Sequence, residues 1–348
     1  MNAKKPFLFD LTLKELTEII TGLGEPAYRA KQVWEQVYDK VVPSFDEMNG
    51  IPKTLRAKLT DEIDMTHLTA QVDLLSSDNH TRKILFRLPD GAQIETVLMG
   101  YHIRRTACIS TQAGCALGCT FCATGQWGLE RNITSGEIVE QAIFFERELR
   151  IKKEKLTNLV FMGMGEPFAN YAQVMRAVDT LTDPEGFNFG ARRITISTVG
   201  LVPMIERFGD ENSQVNLAVS LHAATDELRE TMLPINKRYP IKELIKSCRD
   251  YVNKTNRRIS FEWALIEGVN DTFEQANALA GLLKGMLCHV NFIPLNPTTG
   301  YKGHEPKRNR INAFMEILDK AGIPNTLRIR RGIDINAGCG QLKHAVNN

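Results

Sequence analysis

The sequence predicts an α/β protein: an open, partial (β/α)6 barrel behind a small helical unit and a β-meander. Three observations predict it. From residue 102 onward, strand-like and helix-like segments alternate through six β-α units, the pattern of a parallel sheet with helices outside. Residues 69–99 carry a period of two, and the first sixty residues carry helical spacing. Six units fall short of the eight of a closed barrel, and a doubly wound open sheet is the alternative. The expected boundaries are 1–65 for the helical unit, 66–101 for the meander and 102–340 for the core.

In order along the chain, Thr12 with Glu15 forms a capping box for a first helix that ends near Gly22 and Gly24. Pro26 suits the start of a second helix from Ala27 to Lys40, and "PKTLRAKLTDEI" offers a third. "TAQVDLL", "TRKILFRL" and "AQIETVLM" alternate apolar and polar residues and are broken by "SSDNH" and "PDG", as strands joined by turns are. The core opens with strand "RTACIS" and helix "TSGEIVEQAIFFEREL", in which Thr134 and Glu137 make a second capping box. Strands "TNLVFM", "RRITIST", "VNLAVSLH", "RISFEWALI" and "CHVNFIPL" follow, with helices between them. A last helix, "RINAFMEILDKAG", leads to "TLRIRR".

Bulk composition narrows the function. The 348 residues are 43% hydrophobic with a net charge of +2. That is enough apolar content for a full core, and no global charge draws the chain to nucleic acid. No run approaches a membrane span and no leader pattern is visible, so a soluble, cytoplasmic protein is expected. Four of the seven cysteines fall between Cys108 and Cys122. In a reducing compartment such a cluster points to metal binding or catalysis.

Chemistry in parallel α/β folds gathers at the C-terminal ends of strands. There the sequence places the cysteine run "GCALGCTFCATG", the turn "GMGEP", Ser197, the Ser220-Leu221-His222 strand end and Asn296. Singly, each has a bland reading as a tight turn or a satisfied strand-end residue; together they suggest one pocket. Cys115, Cys119 and Cys122 follow a C-x3-C-x2-C spacing. A structural zinc site takes four ligands, usually as two separated pairs, and no second pair follows. Three thiolates can hold three irons of a 4Fe–4S cluster and leave the fourth open. Zinc, or a chance grouping, stays as the alternative.

This arrangement resembles the radical S-adenosylmethionine (SAM) superfamily, and the fold class is then a partial (β/α)6 radical SAM barrel. The resemblance implies that the open iron chelates SAM and that an electron cleaves it to methionine and a 5′-deoxyadenosyl radical. "FCATG", "FMGMGEP", "ISTVG", "AVSLHA", "LPIN", "HVNFIPLNP" and "GIDINAGCGQL" narrow it to the RlmN/Cfr RNA methyltransferases, over nearly the whole chain. RlmN members methylate C2 of an adenine in 23S rRNA and often of the adenine next to the anticodon in tRNA; Cfr members methylate C8 of the same rRNA base. The wording of the motifs looks closer to RlmN.

The resemblance also assigns roles. Cys339 takes a methyl from one SAM, a second SAM supplies the radical, and an RNA adduct forms through Cys339. Cys108 releases the product by a disulfide with Cys339. Without the resemblance, Cys108 reads as a buried strand cysteine. Glu95, placed at the edge of the meander, matches the proton acceptor, although an edge glutamate is ordinarily solvated. Gly165 and Glu166 hold the amino group of SAM. Ser197, Ser220, Leu221, His222 and Asn296 hold its ribose, adenine and carboxylate. Expected partners are 23S rRNA, tRNA and a flavodoxin-type reductant, for a monomer; a zinc-dependent RNA-binding protein is the remote alternative. Positive charge for RNA is expected at "TGYKGHEPKRNR" (299–310), at "LRIRRG" (327–332), and on Lys4, Lys5, Arg29, Lys31, Lys53, Arg56 and Lys58 of the helical unit. Cys248 and Cys288 read as core.

Overall fold

The computed structural model describes residues 5–342; Lys4 lies outside them. The helical unit contains α1 (Leu13–Gly22), α2 (Tyr28–Tyr38) and α3 (Lys53–Glu62). The Thr12–Glu15 capping box is formed in both directions. Leu16, Ile20, Val33, Trp34 and Leu55 turn inward and join one core that runs on into the barrel helices. The unit is stitched to the barrel by Asp10, whose carboxylate accepts hydrogen bonds from Ser135 Oγ (2.9 Å) and the Gly136 N–H (2.6 Å).

The meander strands are β1 (Thr69–Leu75), β2 (Thr81–Arg87) and β3 (Gln93–Gly100). The core continues with β4 (Arg105–Cys108), β5 (Gln112–Cys115), α4 (Ala123–Trp127), β6 (Gly128–Asn132), α5 (Ser135–Ile151), β7 (Asn158–Phe161), α6 (Tyr171–Thr182), β8 (Ile194–Thr198) and α7 (Val202–Asp210). Next come β9 (Asn216–Ser220), α8 (Asp226–Met232), α9 (Ile241–Thr255), β10 (Ile259–Leu265), α10 (Phe273–Leu283), β11 (Cys288–Pro294), α11 (Arg308–Lys320) and β12 (Asn325–Leu327). One ten-stranded sheet has the order β1-β2-β3-β4-β7-β8-β9-β10-β11-β12. Pairing is antiparallel as far as β4 and parallel from β4 to β12. Six β-α units and a closing strand therefore stand where the periodicity puts them.

Two local features depart from the sequence reading. The cysteine loop is not a bare loop: β5 and β6 pair as a hairpin and α4 lies between them. The meander is also continuous with the barrel sheet, because β3 pairs with β4, Val97 opposite Cys108. β3 is therefore an interior strand. Among the described residues no helix is long and apolar enough to cross a membrane.

Strand β12 does not pair with β4. The gap between them is spanned by the segment after β12, which reaches back to the meander. Lys83 Nζ donates to the Asn336 carbonyl (3.2 Å) and the Ser77 N–H donates to Asp334 (2.7 Å). Ala337 and Leu342 pack against Val97, Met99, Cys108 and Met164. The C-terminal segment is thus laid across the open side of the barrel, which carries Cys339 to the strand ends.

Candidate active site

A single pocket is bordered by Cys115, Cys119, Cys122, Gly165, Glu166, Ser197, Ser220, His222, Asn296 and Cys339. Nine of these come from the loops and ends of β5, β7, β8, β9 and β11, so the sheet curves around the site. The tenth arrives on the C-terminal segment. Cys108, Glu95 and Leu221 are not on its wall.

The "GMGEP" turn is locked against the cysteine segment. The Glu166 N–H donates to Gln112 Oε1 (2.8 Å), and the Met164 N–H donates to Ser110 Oγ (2.8 Å). Gly165 has a φ of +101°, and a Cβ there would stand 2.6 Å from Gln112 Cβ; only glycine permits this approach. The Glu166 carboxylate accepts from the Val199 N–H (2.8 Å) and the Phe168 N–H (3.0 Å). Burial nevertheless pushes it up to about 7, so this acid welcomes a cationic partner.

His222 is buried with a φ of +59°. Its Nδ1 accepts from the Ala264 N–H (2.9 Å), which leaves the proton on Nε2. Burial, with Arg229 nearby, drives the ring down to about 3, so it stays a neutral donor. The Asn296 Nδ2 donates to the Cys339 carbonyl (3.0 Å), while its Oδ1 is buried with no partner. Leu221 is wholly buried in the apolar core, and its carbonyl accepts from Arg229 Nε and the Ala223 N–H. Its side chain therefore supports the wall rather than touching a ligand.

The three loop cysteines act on one another electrostatically. Burial pushes the Cys115 thiol up to about 12 and raises Cys119 well above its ordinary value. Buried thiols of this kind ionise when a bound cation compensates them. Among the described residues no three such side chains meet closely enough to hold one metal ion. The donors instead border a wider space, which suits a polynuclear cluster. With the unsatisfied Asn296 oxygen and the receptive Glu166, the pocket fits a 4Fe–4S cluster and an amino-acid-bearing cofactor.

All seven cysteines are free. Cys108 is buried, and desolvation together with neighbouring Cys339 pushes its thiol up to about 12, opposed by Arg328. Cys339 is open to solvent where the pocket opens. The surrounding protein still removes enough water to raise its thiol to about 11, again opposed by Arg328. Two thiols far apart in sequence thus share one environment and one guanidinium. The C-terminal turn is pinned by the Ala123 N–H to Gly340 O (2.8 Å), Thr124 Oγ1 to Leu342 O (2.6 Å) and Gln341 Nε2 to Pro297 O (2.8 Å).

Glu95 is not at a solvated edge. It is 3% exposed on interior strand β3 and ion-paired to Lys83 at 2.9 Å. Lys83 also holds Asn336, so Glu95 is tied to the segment that carries Cys339.

Sequence reasoning missed several supports. Buried Arg229 donates to the carbonyls of Val199 (2.7 Å), Ser220 (3.2 Å) and Leu221 (3.1 Å), fastening the ends of β8 and β9. Glu262 lines the pocket from β10 and accepts from Asn291 Nδ2 (2.8 Å). Gln112 carries no local signal, because the hairpin strand it opens was not legible in the sequence. The "LPIN" motif, which packs beside Arg229 through Asn236 (3.0 Å), was the one available signal for that arginine.

Comparison with known proteins places this site in a family. Residues 109–280 match the radical SAM superfamily, and residues 7–65 match the ribosomal RNA large subunit methyltransferase N-terminal domain. The chain is 49% identical to a probable dual-specificity RNA methyltransferase RlmN of Chloroflexus aurantiacus, covering 97% of this chain and 93% of that one. It is 50% identical to the dual-specificity RNA methyltransferase RlmN 1 of Myxococcus xanthus, covering 97% and 94%. The chain belongs to the RlmN family of radical SAM RNA methyltransferases. A crystal structure of a radical SAM methyltransferase from Sphaerobacter thermophilus superposes with a TM-score of 0.95 at 53% identity, covering 97% of this chain and 99% of that one. The RlmN family implies a 4Fe–4S cluster and SAM, and it sets aside the reading as a zinc-dependent RNA-binding protein.

Proposed function

We propose that this enzyme methylates C2 of an adenine in 23S rRNA and of the adenine next to the anticodon in tRNA, with Cys339 carrying the methyl group. The observation that carries the reading is the meeting of Cys339 with the three-cysteine loop on one pocket wall, with Cys108 in the packing beside it. The names of the two relatives above support action on two kinds of RNA.

The target dictates the chemistry. Adenine C2 lies between two ring nitrogens and is too electron-poor to attack a sulfonium methyl, whereas a thiolate can. When bound, the cluster and SAM supply a radical that abstracts hydrogen. Cys115, Cys119 and Cys122 hold the cluster. Gly165 and Glu166 receive the amino group of SAM; Ser197, Ser220, His222 and Asn296 hold its remaining polar groups, with Leu221 contributing only through its main chain. Cys339 first accepts a methyl by direct displacement, with Arg328 favouring its thiolate. Hydrogen loss from the S-methyl group lets its carbon join the ring, giving a protein–RNA adduct. Glu95, held in place by its 2.9 Å contact with Lys83, takes the ring proton. The adduct radical must also give up one electron, which returns to the oxidised cluster. The Cys108 thiolate then attacks the Cys339 sulfur: the S–S bond forms as the C–S bond breaks, and the released carbon keeps the bonding pair and is protonated to the methyl group of the free base. Two SAM molecules are consumed for each methyl transferred. The target base must leave its stack to reach Cys339.

The test is nucleoside mass spectrometry with chromatographic standards after reaction with unmodified 23S rRNA and, separately, tRNA. The reading expects 2-methyladenosine from both. A product of 8-methyladenosine overturns the position, and 2-methyladenosine from one RNA alone overturns the dual substrate.

A further inference from the structure

We propose that the turn between β3 and β4, with the segment that follows β12, forms a docking surface for unstacked RNA nucleotides flanking the target adenine. This rests on the placement of that adenine at Cys339.

The surface is defined by side chains the catalytic account leaves unused. Ile103 is 81% exposed and Ile329 is 69% exposed. A single exposed isoleucine is ordinary. Here each lies within two residues of an arginine that stacks on one and the same tyrosine ring. The segments are joined through Tyr101. The guanidinium of Arg104 lies 4.7 Å from the centre of the Tyr101 ring and that of Arg331 lies 4.9 Å from it. Tyr101 also packs against the apolar cluster that holds Cys108, Ala337 and Leu342, so the surface adjoins Cys108 and the segment that carries Cys339.

Charge chooses the partner. Arg331 is shared with Asp78 (3.4 Å) and Arg330 with Glu305 (2.6 Å), but no carboxylate pairs with Arg104 among the described residues. A cleft of about 650 Å³ beside Ile329 adds Lys307 and Arg308, with Glu267 also on its wall. The chain carries only +2 overall, so phosphate affinity must come from a local concentration of this kind. Guanidiniums stacked on a ring are held ready for phosphates, and apolar side chains cover base faces. Single-stranded RNA offers both at once. On the helical unit several cations are already engaged: Lys5 and Lys58 donate to the carbonyls of Thr60 and Leu23, Arg56 to that of Asp46, and Lys31 pairs with Glu185, while Arg29 over the exposed Tyr28 ring (5.0 Å) is the comparable pairing there.

The experiment measures equilibrium binding of the full chain to a 23S rRNA fragment containing the target adenine, without SAM or reductant. No turnover occurs, so the result is independent of which ring carbon is methylated. The double variant Ile103→Ser with Ile329→Ser is expected to bind about tenfold more weakly, as loss of base-face contact implies. Arg104→Ala is expected to lower the slope of log affinity against log salt by about 0.7, one phosphate contact on a single strand. Lys246→Ala on α9, where Lys246 pairs with Asp250, serves as the control and is expected to change neither. Wild-type affinity and slope in both patch variants would overturn the proposal. So would wild-type RNA affinity together with slowed reduction by a flavodoxin, which would make the patch a protein-docking face.

Discussion

The side-chain amide of Asn296 donates a 3.0 Å hydrogen bond to the main-chain carbonyl of Cys339. The loop after β11 therefore sets the position of a residue forty-three places later in the chain. The other end of the amide, Oδ1, is buried without a partner, an acceptor that a bound cofactor would satisfy. Asn296→Ala removes both functions. Its SAM affinity, measured by equilibrium dialysis on cluster-loaded protein, is expected to fall about tenfold, the worth of one buried hydrogen bond. Unchanged affinity would remove Asn296 from the cofactor site.

Gly338 sits directly under this contact. A Cβ there would stand 2.7 Å from Asn296 Cγ and from Gln341 Oε1, and both side-chain ends are held by hydrogen bonds, to the carbonyls of Cys339 and Pro297. Gly338→Ala is expected to cost about 1–3 kcal/mol of stability by overpacking. It should also slow RNA methylation severely while SAM cleavage continues. Chemical denaturation and product assays on the same preparation check the two effects separately.

Glu137 links the start of α5 to the hairpin. Burial alone would raise its carboxyl. Hydrogen bonds from Arg131 (2.8 Å) and the Thr134 N–H (2.9 Å), with the His67 ring 3.8 Å away, overcome that and take it down to about 2. A depressed acid stabilises the fold above its unfolded value near 4.5, and the contribution is lost as pH falls through 2. Glu137→Gln is therefore expected to lose about 3 kcal/mol at pH 7. The difference from wild type should shrink steadily below pH 4.5, as urea unfolding across that range would show. An equal penalty at every pH would mean the group does not titrate this way.

Cys339→Ala removes the proposed methyl carrier but none of the cluster ligands. RNA methylation is expected to vanish while 5′-deoxyadenosine formation from SAM remains measurable by chromatography. Residual methylation by this variant would falsify the carrier role.

The barrel was legible because each strand–helix alternation is a local change of period. Both capping boxes, at Thr12–Glu15 and Thr134–Glu137, are local too, and both form. The three-cysteine loop and the "GMGEP" turn announce themselves by spacing and glycine. What was hidden depends on long-range pairing. Glu95 reads as an edge residue until β3 is seen to pair with β4. The β5–β6 hairpin is built from "QAGC" and "GLERN", which lack apolar alternation. The reach of Lys83 to Asn336 and the staple made by Arg229 join elements far apart in the chain, which no local pattern encodes. Leu221 lies between two pocket residues in sequence, yet the strand pleat turns its side chain into the core.

The central claim, that Cys339 bonds to the RNA base and Cys108 releases it, is tested most directly in the Cys108→Ala variant. Cluster-loaded protein would be incubated with SAM, a reductant and unmodified 23S rRNA, then run on a denaturing gel, and any crosslinked peptide would be mapped by mass spectrometry. The account predicts a stable protein–RNA species joined through Cys339. Full turnover with no crosslink, or a crosslink through another residue, would contradict it.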